Sequence, residues 1–434
     1  MKKKLSGLCA FLLVLALCAI PFKAHAQQID IPKLYFRGNI SHMYEKSDVR
    51  KIYFQYTGQD QIFTGFATIK IQGNSSLGFE KKNYTVTFYH DEAYTQKLKV
   101  DMGWGPQSKY CLKANWIDKT HARNVVAAKL AAQVQQKYNV LPDAPCNGLV
   151  DGFPVEIYIN GEFLGLYTFN IPKDAWQFGM DSDNPDHIVF GCEGWEPSAL
   201  FWAEPDSKMW SIEVGEEGDE TLDKLKKLYH FISDTTTEEF VAGFNDHLDL
   251  DAALNYYILT DFAYLRDNVG KNMLLATYDG EKWYPSLYDL DTSWGTHFTG
   301  KKCYDYENED VIIFINQLFL RLENNFGQQL TDRYFQLRQE LLTKEHIMAE
   351  FNAFKDLIPE KTFEREQARW GTEIPGYGYD QIESFLDDRI PKLDRKYGDW
   401  EAWIEGRNAS IINSSIIEMI DGITESELQE YLMK

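Results

Sequence analysis

The pattern of apolar and polar positions changes period once along this chain. From residue 51 the period is two. Ile52-Tyr53-Phe54, residues 66–71 and residues 110–115 are rich in β-branched and aromatic side chains, and residues 83–89 alternate strictly, so all four predict strands. Residues 155–159 and 163–167 flank Asn160-Gly161, the strongest short signal for a hairpin turn. One helix interrupts them. Asp118 or Thr120 would cap it, and Val125, Val126, Leu130 and Val134 recur at spacings of three and four up to about Tyr138. Residues 27–51 form a mixed entry. From about Thr221 the period becomes helical, with helices expected at 222–232, 237–246, 250–264, 309–325, 331–342, 344–356, 361–370 and 379–397. In the last of these, Ile382, Phe385, Leu386, Ile390 and Leu393 share a face. Residues 172–220, rich in Gly, Pro, Asp and Trp, read as the boundary between the two patterns. The expected fold class is α+β in two lobes: a β-rich lobe over 27–175, an α-rich lobe over 176–400, and an extension over 401–434.

The first residues belong to neither lobe. Lys2, Lys3 and Lys4 precede a nearly unbroken apolar run over 5–20, and Ala24-His25-Ala26 is a small-x-small cleavage site, so residues 1–26 read as a secretory signal peptide. The run of about 16 residues is shorter than the ~20 that a membrane span needs, and no later segment is a better candidate. The expected address is therefore exported: periplasmic, cell-surface or secreted. The chain carries 44 basic and 66 acidic residues, a net charge of −22. Without Lys2, Lys3, Lys4 and Lys23, 40 basic residues face 66 acidic ones, a net of −26. Such a surface repels nucleic acid and anionic membranes and attracts basic partners. Export permits disulfides, and Cys111, Cys146, Cys192 and Cys303 allow three pairings; a buried thiol is the other reading for Cys111. With no C-x-x-C, zinc is disfavoured.

Chemistry concentrates at residues 265–295, where the layout is helix, acidic loop, hairpin turned at Asp279-Gly280, and second acidic loop. Phosphoryl transfer needs one carboxylate to take the acceptor's proton, and an amide and a carboxylate to hold a divalent cation against phosphates. Arg266-Asp267-x-x-x-x-Asn272 has the spacing used for this by protein kinases, and Asp289 follows after the hairpin, with Asp291 beside it. These oxygen ligands suit Mg2+ or Mn2+. As a bare string the spacing is weak; Asp267-Asn268 also fits an Asx turn, and Asp289 and Asp291 also fit a helix cap or a calcium loop.

Several blocks together resemble the CotH kinase family, the spore-coat protein H type of atypical kinase. They are Gly73-Asn74-Ser75-Ser76 followed by Lys81-Lys82-x-Tyr84; Asp118 with Arg123-Asn124; Asn160-Gly161 with Gly165 and Tyr167; Asp267 with Lys271-Asn272; Asp289-Leu290-Asp291-x-x-Trp294-Gly295; and Arg369-Trp370 with a helix bearing Arg389. They run in the family's order over residues 65–400. The resemblance implies a kinase fold that phosphorylates serine in proteins with ATP, with Asp267 as catalytic aspartate and Asp289 as metal aspartate. Asn272 and Asp291 would complete the metal site. The turn at Gly73, Asn74, Ser75 and Ser76 would lay N–H groups on phosphates. Lys82, less strongly Lys113, and Arg123 are candidates for phosphate contact; Arg123 and Asn124 also fit a structural tie between helix and hairpin.

The chain departs from the pattern in two places. The helix has no acid after Asp118 to pair with a phosphate-binding lysine, which leaves Glu156 as the nearest candidate. Leu287-Tyr288 stands where the family commonly has Pro-Trp. The expected partner is a protein acceptor, Ser/Lys-rich and basic. Two competing readings are a non-catalytic surface or adhesion protein on the same fold, and a glycan hydrolase built on a carboxylate pair; the latter has no need of Asn272.

Overall fold

Alternation of inward apolar and outward polar residues closes the first half of the chain into a barrel. The computed structural model describes residues 30–58, 61–303, 313–371 and 378–412; the segment read as a signal peptide, with Cys9 and Cys18, and most of the 401–434 extension lie outside them. The barrel strands are β1 (Lys33–Arg37), β2 (Val49–Thr57), β3 (Ile62–Gln72) and β4 (Asn83–Tyr89). A two-stranded ribbon of β5 (Val100–Asp101) and β6 (Pro106–Gln107) follows, and then β7 (Lys109–Lys113), β8 (Gly152–Ile159) and β9 (Glu162–Asn170) complete the barrel. The seven barrel strands run in the order β1-β2-β3-β4-β7-β9-β8. The fold is mixed α+β as expected, and the strands of the β-rich part close into a barrel. The cause is β1, in the segment read as a mixed entry: it pairs antiparallel with β2 and parallel with β8, joining the two edges and leaving none for foreign strands. In β4, Tyr84, Val86 and Phe88 point inward, and Phe54 stacks on Phe88 with ring centroids 4.2 Å apart. Truncating a ring as buried as Phe88 costs about 3–5 kcal/mol. The period-two rule then sends Lys109, Cys111 and Lys113 to the outside of β7.

Helix α1 (Arg123–Lys137) lies between β7 and β8 in the chain. Its start is organised by Asp118, whose carboxylate accepts from the Thr120 and Arg123 N–H groups. After the barrel, β10 (Ile188–Cys192) and β11 (Trp210–Val214) pair with each other, although this stretch reads as a boundary in the sequence. Helices α2 (Asp219–Asp234), α3 (Thr237–His247) and α4 (Leu250–Phe262) follow. The hairpin β12 (Met273–Thr277) and β13 (Trp283–Leu287) joins β10, giving a four-stranded sheet of order β11-β10-β12-β13.

The remaining helices are α5 (Gln317–Arg338), α6 (Lys344–Asp356), α7 (Glu360–Trp370), α8 (Tyr379–Gly398) and α9 (Trp400–Ile412). The helices expected at 309–325 and 331–342 meet in α5, which is kinked at Phe326, where the angles are non-helical; residues 309–312 lie outside the described residues. Next to that break, Gly327 makes room for the Trp400 ring, which a Cβ there would strike.

Two buried ionic clusters hold the helices in place. In α4, which is buried on every side, Asp261 accepts from Arg389 (2.5 Å), Lys396 (2.8 Å) and Tyr397 (3.0 Å), all on α8. Helix α7 is pinned to the barrel by Lys81, whose Nζ donates to Glu366 (2.6 Å) and to the carbonyls of Ala114 (2.9 Å) and Leu166 (2.6 Å). Gly165 permits this approach, since a Cβ there would stand 2.9 Å from Lys81 Cε and 3.0 Å from Glu366 Oε2. Among the described residues no helix is long and apolar enough to cross a membrane.

Candidate active site

The two acidic loops are set side by side by the hairpin between them. After α4 a short turn over Asp267–Val269 presents Asp267, and the chain returns through Asn272 to β12. At the other end of the hairpin β13 leads into Asp289. Asn272 (φ 69°) and Asp289 (φ 55°) are both left-handed, a conformation that Asn and Asp tolerate better than most residues. Such positions persist only where neighbours fix them. Here the Asn272 N–H donates to the Cys192 carbonyl at 2.9 Å. Asn268 Nδ2 donates to the Tyr288 carbonyl at 2.9 Å, which ties the residue after Asp267 to the residue before Asp289. Tyr256 Oη–H and Asn316 Nδ2 hold the Asn268 and Val269 carbonyls at 2.6 and 2.8 Å. Asn124 Oδ1 accepts from the Leu290 N–H at 3.1 Å, giving the Arg123-Asn124 block a bracing role.

Asp267, Asn272, Asp289 and Asp291 all line one cleft of about 870 Å3, and so do Gly73, Asn74 and Ser76 on the opposite wall. Nothing is described for the Ser75 side chain. Gly73 is required at its place, because with φ 112° any Cβ would collide with Ser76 Oγ. Asn74 reaches across to Glu193 Oε2 at 3.3 Å and receives Lys46 on its own Oδ1. The exposed rings of Trp195 and Phe298 stand at the rim.

The cleft is richer in lysine than the chain as a whole. Lys46, Lys70, Lys81, Lys109, Lys113, Lys173 and Lys271 line it with five carboxylates, in a protein whose net charge is −22. Lys113 Nζ stands 3.3 Å from Asp289 Oδ1, and Lys271 Nζ 4.0 Å from Asp267 Oδ2. Burial lifts the Asp267 carboxyl above the usual carboxylate range; Lys271 pulls it back and Asp289 adds to the rise. Asp291 is raised well above that range, first by burial and then by Asp289, against the pull of Lys113. Burial works against the charge on Lys113, but Asp289, Tyr288, Cys111 and Asp291 together outweigh it and hold the ammonium protonated.

Other sequence candidates lie elsewhere. Lys82 donates to the carbonyls of Leu77 and Phe79 behind the turn and does not line the cleft. Arg123 is fully buried beneath the site, bonded to Asp118, Gln381 and the Ser293 and Trp294 carbonyls, which is the structural role rather than phosphate contact. Glu156 pairs with Thr362 and Arg365, away from any cleft lysine. The lysine that faces the acidic loops is Lys113, and its partner is Asp289. Residues the sequence did not single out are Lys173, Glu193 and Glu213; the alternating stretch Trp210–Val214 was the available signal for Glu213. The four described cysteines are free thiols, and Cys111 is buried as in its simpler reading.

The donors fit a hard cation. Three of the cleft's carboxylates are aspartates, Asp267, Asp289 and Asp291, and burial and mutual repulsion raise the proton affinity of Asp267 and Asp291. Among the described residues no three His, Cys, Asp or Glu side chains are grouped so as to hold a metal ion unaided. Magnesium is ordinarily held by one or two carboxylates, with phosphate oxygens and water completing six ligands. Asn272, Asp289 and Asp291 supply that partial set.

A family model described as CotH kinase protein matches residues 69–393, which include every cleft residue named here except Lys46. No curated protein matches the chain.

Proposed function

The chain belongs to the CotH kinase family, and from that premise we propose an exported, metal-dependent kinase-like phosphotransferase that passes the ATP γ-phosphate to serine or threonine of a protein acceptor. The observation that carries this reading is the convergence of Asp267, Asn272, Asp289 and Asp291 with the Gly73–Ser76 turn on one lysine-lined cleft. Its volume of about 870 Å3 is within the range of small-molecule sites. In this reading the barrel is the counterpart of a kinase small lobe and the helical part the counterpart of the large one.

Each residue has a role that follows from its place. Asp267, with its raised proton affinity, takes the proton of the acceptor hydroxyl. The acceptor oxygen bonds to the γ-phosphorus while the bond from that phosphorus to the β–γ bridging oxygen breaks, and ADP leaves with that oxygen. Lys113 and Lys271 offset negative charge on the transferring group, and the turn N–H groups at Gly73–Ser76 hold phosphate oxygens. Asn272, Asp289 and Asp291 would hold Mg2+ or Mn2+, whose contribution is neutralisation of the phosphate charge. The signal segment supports an exported address, and the acidic surface supports a basic, Ser/Lys-rich acceptor.

One observation favours a second reading, a non-catalytic binding protein: Lys113 already pairs with the carboxylate that would hold the cation. Labelled ATP, Mg2+ or Mn2+ and a Ser/Lys-rich acceptor separate the two. The kinase reading expects label in the acceptor with wild type, and a loss of at least 100-fold in Asp267→Ala and in Asp289→Ala. Equal labelling by all three proteins overturns the assigned roles, and no labelling by wild type supports the second reading.

A further inference from the structure

The cleft is longer than its catalytic end. From Lys113 it follows the outer face of β7 back to Lys109, four residues or about 13 Å at strand rise. Asp267, Asp289 and Asp291 crowd the Lys113 end. At the other end the chain leaves the barrel through Pro172 and Lys173, whose side chain reaches Glu213 on β11. The Lys173 ammonium lies 4.8 Å from the centre of the Tyr288 ring, and Lys113 lies 5.6 Å from the same ring. Tyr288 therefore separates the catalytic end from a second polar group.

That group is built around Glu213. Lys173 Nζ donates to Glu213 Oε1 at 2.6 Å, and both side chains keep about a fifth of their surface open, 21% and 19%, in the cleft wall. Ser211 Oγ lies 2.8 Å from Glu213 Oε1, 2.9 Å from Glu193 Oε1 and 3.2 Å from the Gly191 carbonyl. One hydroxyl proton cannot serve three acceptors, so Ser211 satisfies at most one of them. Lys173 and Ser211 both use Oε1, which leaves Glu213 Oε2 as the spare acceptor. Gly191 shapes the floor: a Cβ there would stand 3.0 Å from Glu213 Oε1 and 3.2 Å from Ser211 Oγ. An ion pair that only tied the linker to β11 would need neither a spare carboxylate oxygen nor a place in the cleft.

We propose that Lys173 and Glu213, the latter held by Ser211, read the nucleobase, selecting a nucleoside triphosphate whose base carries an exocyclic amino group beside a ring-nitrogen acceptor, as adenine does. The inference rests on the nucleotide reading of the cleft. Glu213 Oε2 accepts from the amino group, and the Lys173 ammonium, held beside it, donates to the ring nitrogen. Donor and acceptor then stand side by side, as they do on one edge of a base. A site built on buried polar partners rejects analogues that leave those partners unpaired.

The test compares binding of the magnesium complexes of ATP, of purine riboside triphosphate, which lacks the 6-amino group, and of tripolyphosphate, which lacks the base. Wild type is expected to bind ATP at least tenfold more tightly than the analogue. Glu213→Gln and Lys173→Met are expected to lose most of that preference while binding tripolyphosphate within twofold of wild type. Equal affinity of wild type for ATP and the analogue overturns the base assignment, and that comparison needs no variant to fold. A preference that survives both substitutions, or equal losses for ATP and tripolyphosphate, also overturns it. If wild type binds tripolyphosphate but shows no preference among bases, this inference fails and the phosphate site stands. If wild type binds none of the three, the nucleotide reading fails with it.

Discussion

Replacing Asn268 with aspartate exchanges an NH2 group for an oxygen at the point where the two acidic loops are tied. The Asn268 side chain is fully buried, and its Nδ2 faces two carbonyls, Tyr288 at 2.9 Å and Asn272 at 3.5 Å. Its Oδ1 is buried without a hydrogen-bond partner among the described residues. Aspartate would place an acceptor opposite both carbonyls and leave the Tyr288 carbonyl unpaired. The unpaired carbonyl alone costs about 1–3 kcal/mol. Charge on the new carboxylate adds to that, so a total on the order of 3 kcal/mol is expected. The kinetic effect is larger in proportion. Asp267 and Asp289 flank the bond that is lost, and a displacement of about 1 Å between reacting groups costs roughly 100-fold in rate. Denaturant unfolding reads the first effect. Single-turnover phosphoryl transfer across a Mg2+ titration reads the second, with a raised half-saturating Mg2+ concentration expected beside the lower rate. A variant that unfolds at the wild-type midpoint and transfers at the wild-type rate would refute the brace. Lower stability with an unchanged rate and Mg2+ dependence would show that Asn268 supports the fold without positioning the site.

Other expectations follow from the same contacts. Glu366→Gln removes the counter-charge of buried Lys81, so unfolding free energy should fall by about 3–5 kcal/mol; Lys81→Met combined with Glu366→Leu should restore most of it in the same denaturation assay. Lys113→Met should raise KM for ATP at least tenfold, read in steady-state transfer assays, whereas Lys82→Met should leave it within twofold. Burial, with nearby Lys81, holds His121 well below its ordinary value of 6.5, so the folded protein keeps it neutral. The unfolded chain binds that proton as pH drops through 6.5, so stability falls with acid, by up to about 1.4 kcal/mol per pH unit below that point. Denaturation between pH 7 and 5 checks this, and His121→Asn should flatten that part of the curve.

The parts legible in the sequence are those in which local spacing fixes geometry. Asp267, Asn272 and Asp289 were readable because a short hairpin leaves two adjoining loops few ways to lie apart. The closed barrel was not, because closure depends on β1 meeting β8, more than a hundred residues away, and no local pattern records that pairing. Lys82 drew attention by its place beside the turn. But β4 begins at Asn83, and the Lys82 ammonium is turned back onto the carbonyls of Leu77 and Phe79. Lys113 sits on the next strand, where pairing of Tyr84 with Leu112 brings it to the cleft, and only the register reveals this. β10 and β11 were hidden by their surroundings: Gly, Pro and Trp between them suggested a linker, while Ile188-Val189-Phe190 was long enough for a buried strand. The break expected between two helices near 325–331 is present as a kink at Phe326 within α5, beside Gly327, which leaves room for the Trp400 ring.

The central claim assigns different duties to two aspartates about one cleft, and equilibrium binding of MnATP to wild type, Asp267→Asn and Asp289→Asn tests it most directly. The account expects one Mn2+-dependent nucleotide site in wild type, near-unchanged affinity in Asp267→Asn, which should nevertheless fail to transfer phosphate, and at least tenfold weaker binding in Asp289→Asn. Unchanged binding in Asp289→Asn, or equal loss in both variants, would contradict the division of labour on which the account rests.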